Sequence, residues 1–161
     1  MEIRTKKINN DALFGNILFF LNQGKKARLK ITGRSMLPFM DMRYDEVILE
    51  PVNNFELRVG SIVLAHINNK SYILHRIIKI ENDIITLMGD GNITQTEQCY
   101  KNQIKAFVRI RIRENKETDM TSPKFMKKVN IWLKLTSLRR FMLLVYNVFT
   151  DKNYISNKLK K

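Results

Sequence analysis

Leu13, Phe14, Ile17, Leu18 and Leu21 return at spacings of three and four, which on a 3.6-residue period gathers them on one side of a helix. Asn10 or Asp11 offers a capping side chain ahead of that run, and Gly24 stands where the chain has to leave it. At Ala27 the period changes to two. Ala27, Leu29 and Ile31 alternate with Arg28, Lys30 and Thr32, the pattern of a strand with one face buried. Further strands are predicted over Asp45–Glu50, Ser61–Ile67, Ser71–Ile80, Ile84–Met88 and Gln103–Arg113. Between them stand the turn-formers Asn53-Asn54, Asn68-Asn69-Lys70, Asn82-Asp83 and Gly89-Asp90-Gly91-Asn92. Asn68-Asn69-Lys70 and Glu81-Asn82-Asp83 read as hairpin tips. Several short strands in sequence, with a helix at each end and no βαβ rhythm, favour a mostly β, antiparallel core over a doubly wound sheet.

After Arg113 the pattern changes again. Glu114–Pro123 is polar and reads as a linker. Phe125, Val129, Trp132, Leu133, Leu135, Leu138, Phe141, Leu144, Val145 and Phe149 then recur at helical spacing with basic residues between them. The expected organisation is an N-terminal helix in residues 1–26, a β domain in 27–113, and a basic linker with a C-terminal amphipathic helix in 114–161. Such a helix can pack on its own domain, lie on an anionic membrane or bind a partner. The apolar stretch Ile131–Phe149 is interrupted by Lys134, Arg139 and Arg140, so it does not reach the ~18 uncharged residues of a spanning helix.

Charge sharpens this picture. The 161 residues carry 29 Lys and Arg against 15 Asp and Glu, a formal charge of +14, and an imbalance of that size suggests an anionic surface or partner. Eleven of the basic but only three of the acidic side chains lie after Glu114, so the C-terminal segment holds most of the excess. On the predicted last strand Arg109, Arg111 and Arg113 alternate with Val108, Ile110 and Ile112 and would line a solvated face able to follow phosphates. Few aromatic residues accompany them, so a stacking platform for single strands is missing and nucleic-acid binding is disfavoured. A single cysteine, Cys99, excludes an intrachain disulfide and a multi-Cys zinc site, and makes a reducing compartment the default. Two histidines leave little for any metal site.

Three places can carry chemistry. Ser35 follows the first strand in Gly33-Arg34-Ser35-Met36-Leu37-Pro38, where Gly33 lets the backbone turn and Pro38 stiffens the end of the turn. A serine there most often bonds its own backbone. His75 stands mid-strand, and alternation puts it with Ile73 and Ile77 while Arg76 points to the opposite face. On its own it reads as a core histidine bonded to a carbonyl; beside a serine it can act as a base. His66 has only the core reading. Gly89-Asp90-Gly91-Asn92 offers a carboxylate on a polar turn. Together these are the parts of an acyl-transfer site: nucleophile, base and orienting acid.

In sequence order, Gly33–Pro38, Val59-Gly60-Ser61-Ile62-Val63-Leu64, His75-Arg76-Ile77-Ile78 and Gly89–Asn92 resemble the boxes of type I signal peptidases and LexA-like self-cleaving repressors. The resemblance spans Ala27 to Arg113 and is closest to the endoplasmic-reticulum-type signal peptidases, which carry His-Arg where the others carry a lysine base. It implies an antiparallel, coiled, barrel-like core, Ser35 as nucleophile, His75 as general base and Asp90 as an acidic member of the site. It also implies an extended substrate lying against a strand edge, beside Met36 and Pro38, and no metal or cofactor. The chain departs from the family in having Gly60-Ser61 where Gly-Asp is usual. A second family aspartate falls at Thr96, with Glu97 beside it, so Asp90 and Glu97 both stand as candidates for the third catalytic residue.

The expectation is therefore a serine endopeptidase that processes a peptide or protein substrate. The alternative is a regulatory or binding module that keeps the fold without turnover. The lack of an evident membrane anchor argues against general secretory preprotein cleavage. It points to a cytoplasmic role, with residues 124–149 offering peripheral contact to an anionic membrane. About 26 residues precede Ala27, too few for a repressor's DNA-binding domain.

Overall fold

The computed structural model describes residues 10–52, 56–68, 71–135, 138–146 and 148–149. It contains two helices with defined bounds, α1 (Asn10–Asn22) and α2 (Pro123–Lys134), and a third helical stretch that includes 138–146. Eight strands lie between α1 and α2: β1 (Ala27–Lys30), β2 (Asp45–Pro51), β3 (Ile62–Ile67), β4 (Ser71–Glu81), β5 (Ile84–Met88), β6 (Glu97–Tyr100), β7 (Ile104–Arg113) and β8 (Lys116–Asp119). All pair antiparallel in one sheet of order β1-β2-β7-β3-β4-β5-β6, with β8 added to β7. The sheet curls into a half-barrel.

Both faces of the curl are covered, which explains why β3 is apolar almost throughout. Ile62 and Leu64 face one core, together with Val47, Leu49, Ala106, Val108, the α1 residues Ile17 and Leu21, and the α2 residues Phe125 and Val129. Val63, Ala65 and Ile67 face the other, with Ile77, Ile85, Leu87, Cys99 and Phe107. Trp132 of α2 joins Leu37 and Leu143 in a smaller third cluster, which fastens the last helical stretch to the loop after Ser35.

Two strands lie where no strand was predicted. β6 and β8 carry only four residues each, Glu-Gln-Cys-Tyr and Lys-Glu-Thr-Asp, and offer almost no apolar alternation to read. β8 occupies the stretch read as a linker. Glu114 and Asn115 both adopt positive φ, 49° and 63°, the backbone of a two-residue hairpin turn, and so fold Lys116–Asp119 back on β7. The Asn82-Asp83 tip joins β4 to β5, with Asn82 at φ 53°. The continuous C-terminal helix expected from the periodicity ends at Lys134, and helix is described again from residue 138. Asn53, Asn54, Asn69, Lys70 and the capping side chains of Asn10 and Asp11 lie outside the described residues.

The arginine row of β7 is not a free solvated face. Arg113 makes paired bonds of 2.6 Å to both carboxylate oxygens of buried Asp45. Asp45 in turn accepts the Asp41 backbone N–H at 2.7 Å. Arg111 donates to the Phe39 carbonyl at 2.8 Å, and Arg109 pairs with Asp119 at 3.1 Å. These charges fasten the 39–45 loop and β8 to the sheet, because a guanidinium brought partly out of water needs acceptors around it. That loop lies directly after the Ser35 turn in the chain.

Candidate active site

β1 ends at Lys30 and the chain turns over residues 33–39, with Gly33 at φ 83°, in the left-handed region that side chains disfavour. Ser35 sits half-buried in this turn. His75 projects from β4 and is 7% exposed. Its Nε2 lies 3.1 Å from Ser35 Oγ, and its Nδ1 lies 2.9 Å from Glu97 Oε2 at the start of β6. An ionised carboxylate only accepts hydrogen bonds, so Nδ1 carries the proton it donates to Glu97, and Nε2 is left to accept from the serine hydroxyl. The three side chains form one hydrogen-bonded line of hydroxyl, imidazole and carboxylate.

Asp90 is not part of that line. It is 2% exposed and takes paired bonds from Arg76, Nε to Oδ1 at 2.7 Å and Nη2 to Oδ2 at 2.6 Å. Arg76 is fully buried; its Nη1 donates to the Gly60 carbonyl at 2.6 Å, and its guanidinium lies 5.0 Å from the centre of the Phe39 ring. Of the two acids left open by the sequence, Glu97 is the one brought to the imidazole. Asp90 joins the β5 exit, the turn before β3 and the Ser35 loop through one arginine. Alternation sent Arg76 to the face opposite His75, and that face proves to be buried. Such a residue demands an acid, and Asp90 is the one it meets.

The glycines around Asp90 are there for close approach. A Cβ on Gly89 would fall 2.5 Å from the Ser35 carbonyl oxygen and 3.0 Å from Ser35 Cβ, and one on Gly91 would fall 2.9 Å from the Arg34 carbonyl. The Gly91 N–H donates to the Ser35 carbonyl at 2.7 Å. Loop 89–92 is thus the floor on which the serine turn rests. Gly89→Ala is expected to cost about 1–3 kcal/mol of stability by overpacking. By moving Ser35 off His75 it should also cost on the order of 100-fold in any Ser35-dependent rate, read by thermal denaturation and a cleavage assay.

Behind the same floor lies Arg139, 2% exposed, over the Trp132 ring at 5.4 Å and with Nη1 3.3 Å from the Asn92 carbonyl. Burial pushes its guanidinium pKa down and the neighbouring Arg76 adds to this, against the opposing pull of Asp90. The periodicity marked this residue only as an interruption of an apolar run.

In front of Ser35 a cavity of about 240 Å³ opens between α1, β1 and β4. Met36 forms part of its wall while belonging to the core at 5% exposed. Pro38, bound to Leu37 by a cis peptide, is half-buried and is not among the lining residues. Among the described residues no group of three or more His, Cys, Asp or Glu is placed to hold a metal ion. Cys99 is buried in the second core, and its thiol pKa is raised by burial, so it offers no nucleophile.

Comparison with protein-family models, with curated proteins and with solved structures finds no match to this chain.

Proposed function

We propose that the protein is a serine endopeptidase in which Ser35 is the nucleophile, His75 the general base and Glu97 the residue that orients it. The observation that carries the reading is the line from Ser35 Oγ through both imidazole nitrogens to Glu97, with contacts of 3.1 and 2.9 Å. Ser35 Oγ attacks the scissile carbonyl as Nε2 takes its proton, and the tetrahedral intermediate collapses as His75 returns that proton to the leaving amine. Water, deprotonated by the same nitrogen, then releases the acyl group from Ser35. Glu97 fixes the tautomer throughout and balances the imidazolium that forms. Supporting the same reading are the order of the sequence boxes that resemble signal peptidases and LexA-like repressors, and their antiparallel, curled setting.

The substrate class is a peptide or protein segment in extended form. β1 is the end of the sheet, so its outer edge is unpaired by any described strand, and β5 takes up β4 only from Arg76 onward. Two strand edges therefore flank the cavity before Ser35, and backbone hydrogen bonds to them would hold a chain across the serine. The experiment is digestion of a proteome-derived peptide pool by wild type and Ser35→Ala, with new N-termini read by mass spectrometry. New ends made only by the wild type are expected. If none form, the protein is a non-turnover module that keeps this fold.

No helix among the described residues is long and apolar enough to cross a membrane. The reading places the enzyme in the cytoplasm with peripheral contact to an anionic leaflet. Leu138, Phe141, Leu144, Val148 and Phe149 are 54–66% exposed. Exposed cations, Lys124, Lys127, Lys128, Lys134 and Arg140, accompany them, each worth about 1 kcal/mol near such a surface. Binding to phosphatidylserine-containing vesicles is expected, with little to neutral ones. Phe141→Ser with Leu144→Ser should weaken it at least about tenfold by loss of apolar burial. Equal partitioning onto both vesicle types, measured by sedimentation, would remove this contact.

A further inference from the structure

We infer that the cavity in front of Ser35 is the subsite for one large aliphatic side chain of the substrate, Leu, Ile, Val or Met, adjoining the scissile peptide. The inference rests on the peptidase reading and specifies its substrate.

The cavity is an unfilled extension of the main core. Leu13 and Phe14 of α1, Tyr72 and Leu74 of β4, Ile31 and Met36 line it, together with Ser35 and His75. At about 240 Å³ it is many times the ~15 Å³ that admits one water. A bound alanine methyl would leave most of the apolar wall facing water, whereas a larger aliphatic side chain covers it. Among the described residues no acidic side chain lines it, and the cations are Lys30 and, if protonated, His75. A Lys or Arg of the substrate would therefore enter beside Lys30 with no described counter-charge.

The wall is also stiff, so it discriminates by shape instead of adapting. The Tyr72 ring is stacked between Phe14, at 4.5 Å and 23°, and His66, at 4.3 Å and 11°. That stack braces the Tyr72 side of the cavity and gives His66, which has no place in the catalytic line, a packing role. Side chains of an extended substrate held on the flanking strand edges alternate in direction. One of them drops into this space while its neighbours point away.

Two measurements test the assignment. In the peptide-pool digest, one fixed position within two residues of the cut is expected to favour Leu, Ile, Val or Met over Ala and Gly by about tenfold or more. Leu74→Trp, which fills the cavity, should reverse that preference toward Ala and Gly. Phe14→Ala, which enlarges it, should raise the acceptance of Trp. Ser35-dependent cut sites without aliphatic enrichment would overturn the subsite and leave the peptidase reading intact.

The second measurement needs no turnover. N-acetyl-leucine methylamide, titrated into the isotope-labelled full chain, should shift the amide resonances of Thr32, Leu74 and His75 saturably, whereas the alanine and lysine analogues should not. Leu74→Trp should abolish the shifts while its remaining spectrum stays native. Absence of leucine-selective shifts overturns the proposal whatever the digest returns. Leucine-selective shifts with no Ser35-dependent cleavage would instead remove the peptidase reading, and the protease subsite with it.

Discussion

Ser35→Ala is expected to lower kcat by about 10⁴–10⁶-fold, into the residual rate that binding and oxyanion contacts sustain without a nucleophile. The fold should be nearly untouched. Ser35 is half-buried, its side chain contributes the bond to His75, and its carbonyl keeps the Gly91 N–H, so the change amounts to one neutral hydrogen bond, about 1 kcal/mol. His75→Ala should cost a similar factor in rate, because hydroxyl and imidazole act as one unit. The double variant should then be no worse than either single one. A double variant whose losses multiply would mean that the two side chains work separately, and wild-type turnover by Ser35→Ala would end the assignment. Thermal denaturation of each variant keeps a lost fold from passing for lost chemistry.

Ser35 and His75 were singled out in the sequence by the company they keep, the ordered boxes in which they fall, since each alone reads as a turn serine or a core histidine. The choice between Asp90 and Glu97 was not legible, since it depends on pairing. Glu97 reaches the imidazole because β6 lies on β5 with Glu97 opposite Leu87, and nothing in Glu-Gln-Cys-Tyr announces a strand. β8 was hidden for the same reason: a four-residue polar edge strand is held by backbone bonds to β7, and backbone bonds leave no trace in side-chain pattern. The row of Arg109, Arg111 and Arg113 misled in the opposite direction. Alternation put them on one face but said nothing of Asp45 and Asp119, brought there by the pairing of β2 and β8 with β7, or of the Phe39 carbonyl, brought by the loop before β2.

The two acids should fail in different ways, and the difference is large. Asp90→Asn leaves the fully buried Arg76 guanidinium facing a neutral amide, and breaking a buried pair from one side costs about 3–5 kcal/mol. For a chain of this size that lowers Tm by roughly 10 °C. Glu97→Gln acts on a side chain 21% exposed, so stability should change by less than about 1 kcal/mol. Its amide, however, can donate to Nδ1 and so turn the tautomer that keeps Nε2 free for the serine, and the rate should fall by about 10³–10⁴-fold. Measured well below either Tm, Asp90→Asn should keep far more activity than Glu97→Gln. The reverse pattern, a stable but inactive Asp90→Asn beside an active Glu97→Gln, would transfer the orienting role to Asp90. Arg76→Met combined with Asp90→Leu separates the charge from the rest of the pair. Removing both charges at once leaves neither ion stranded, so the double variant should recover much of the stability that Asp90→Asn loses. If it unfolds as readily as the single variant, the pair is held for its bonds to the Gly60 carbonyl and the serine floor, and charge balance is the smaller part of its work.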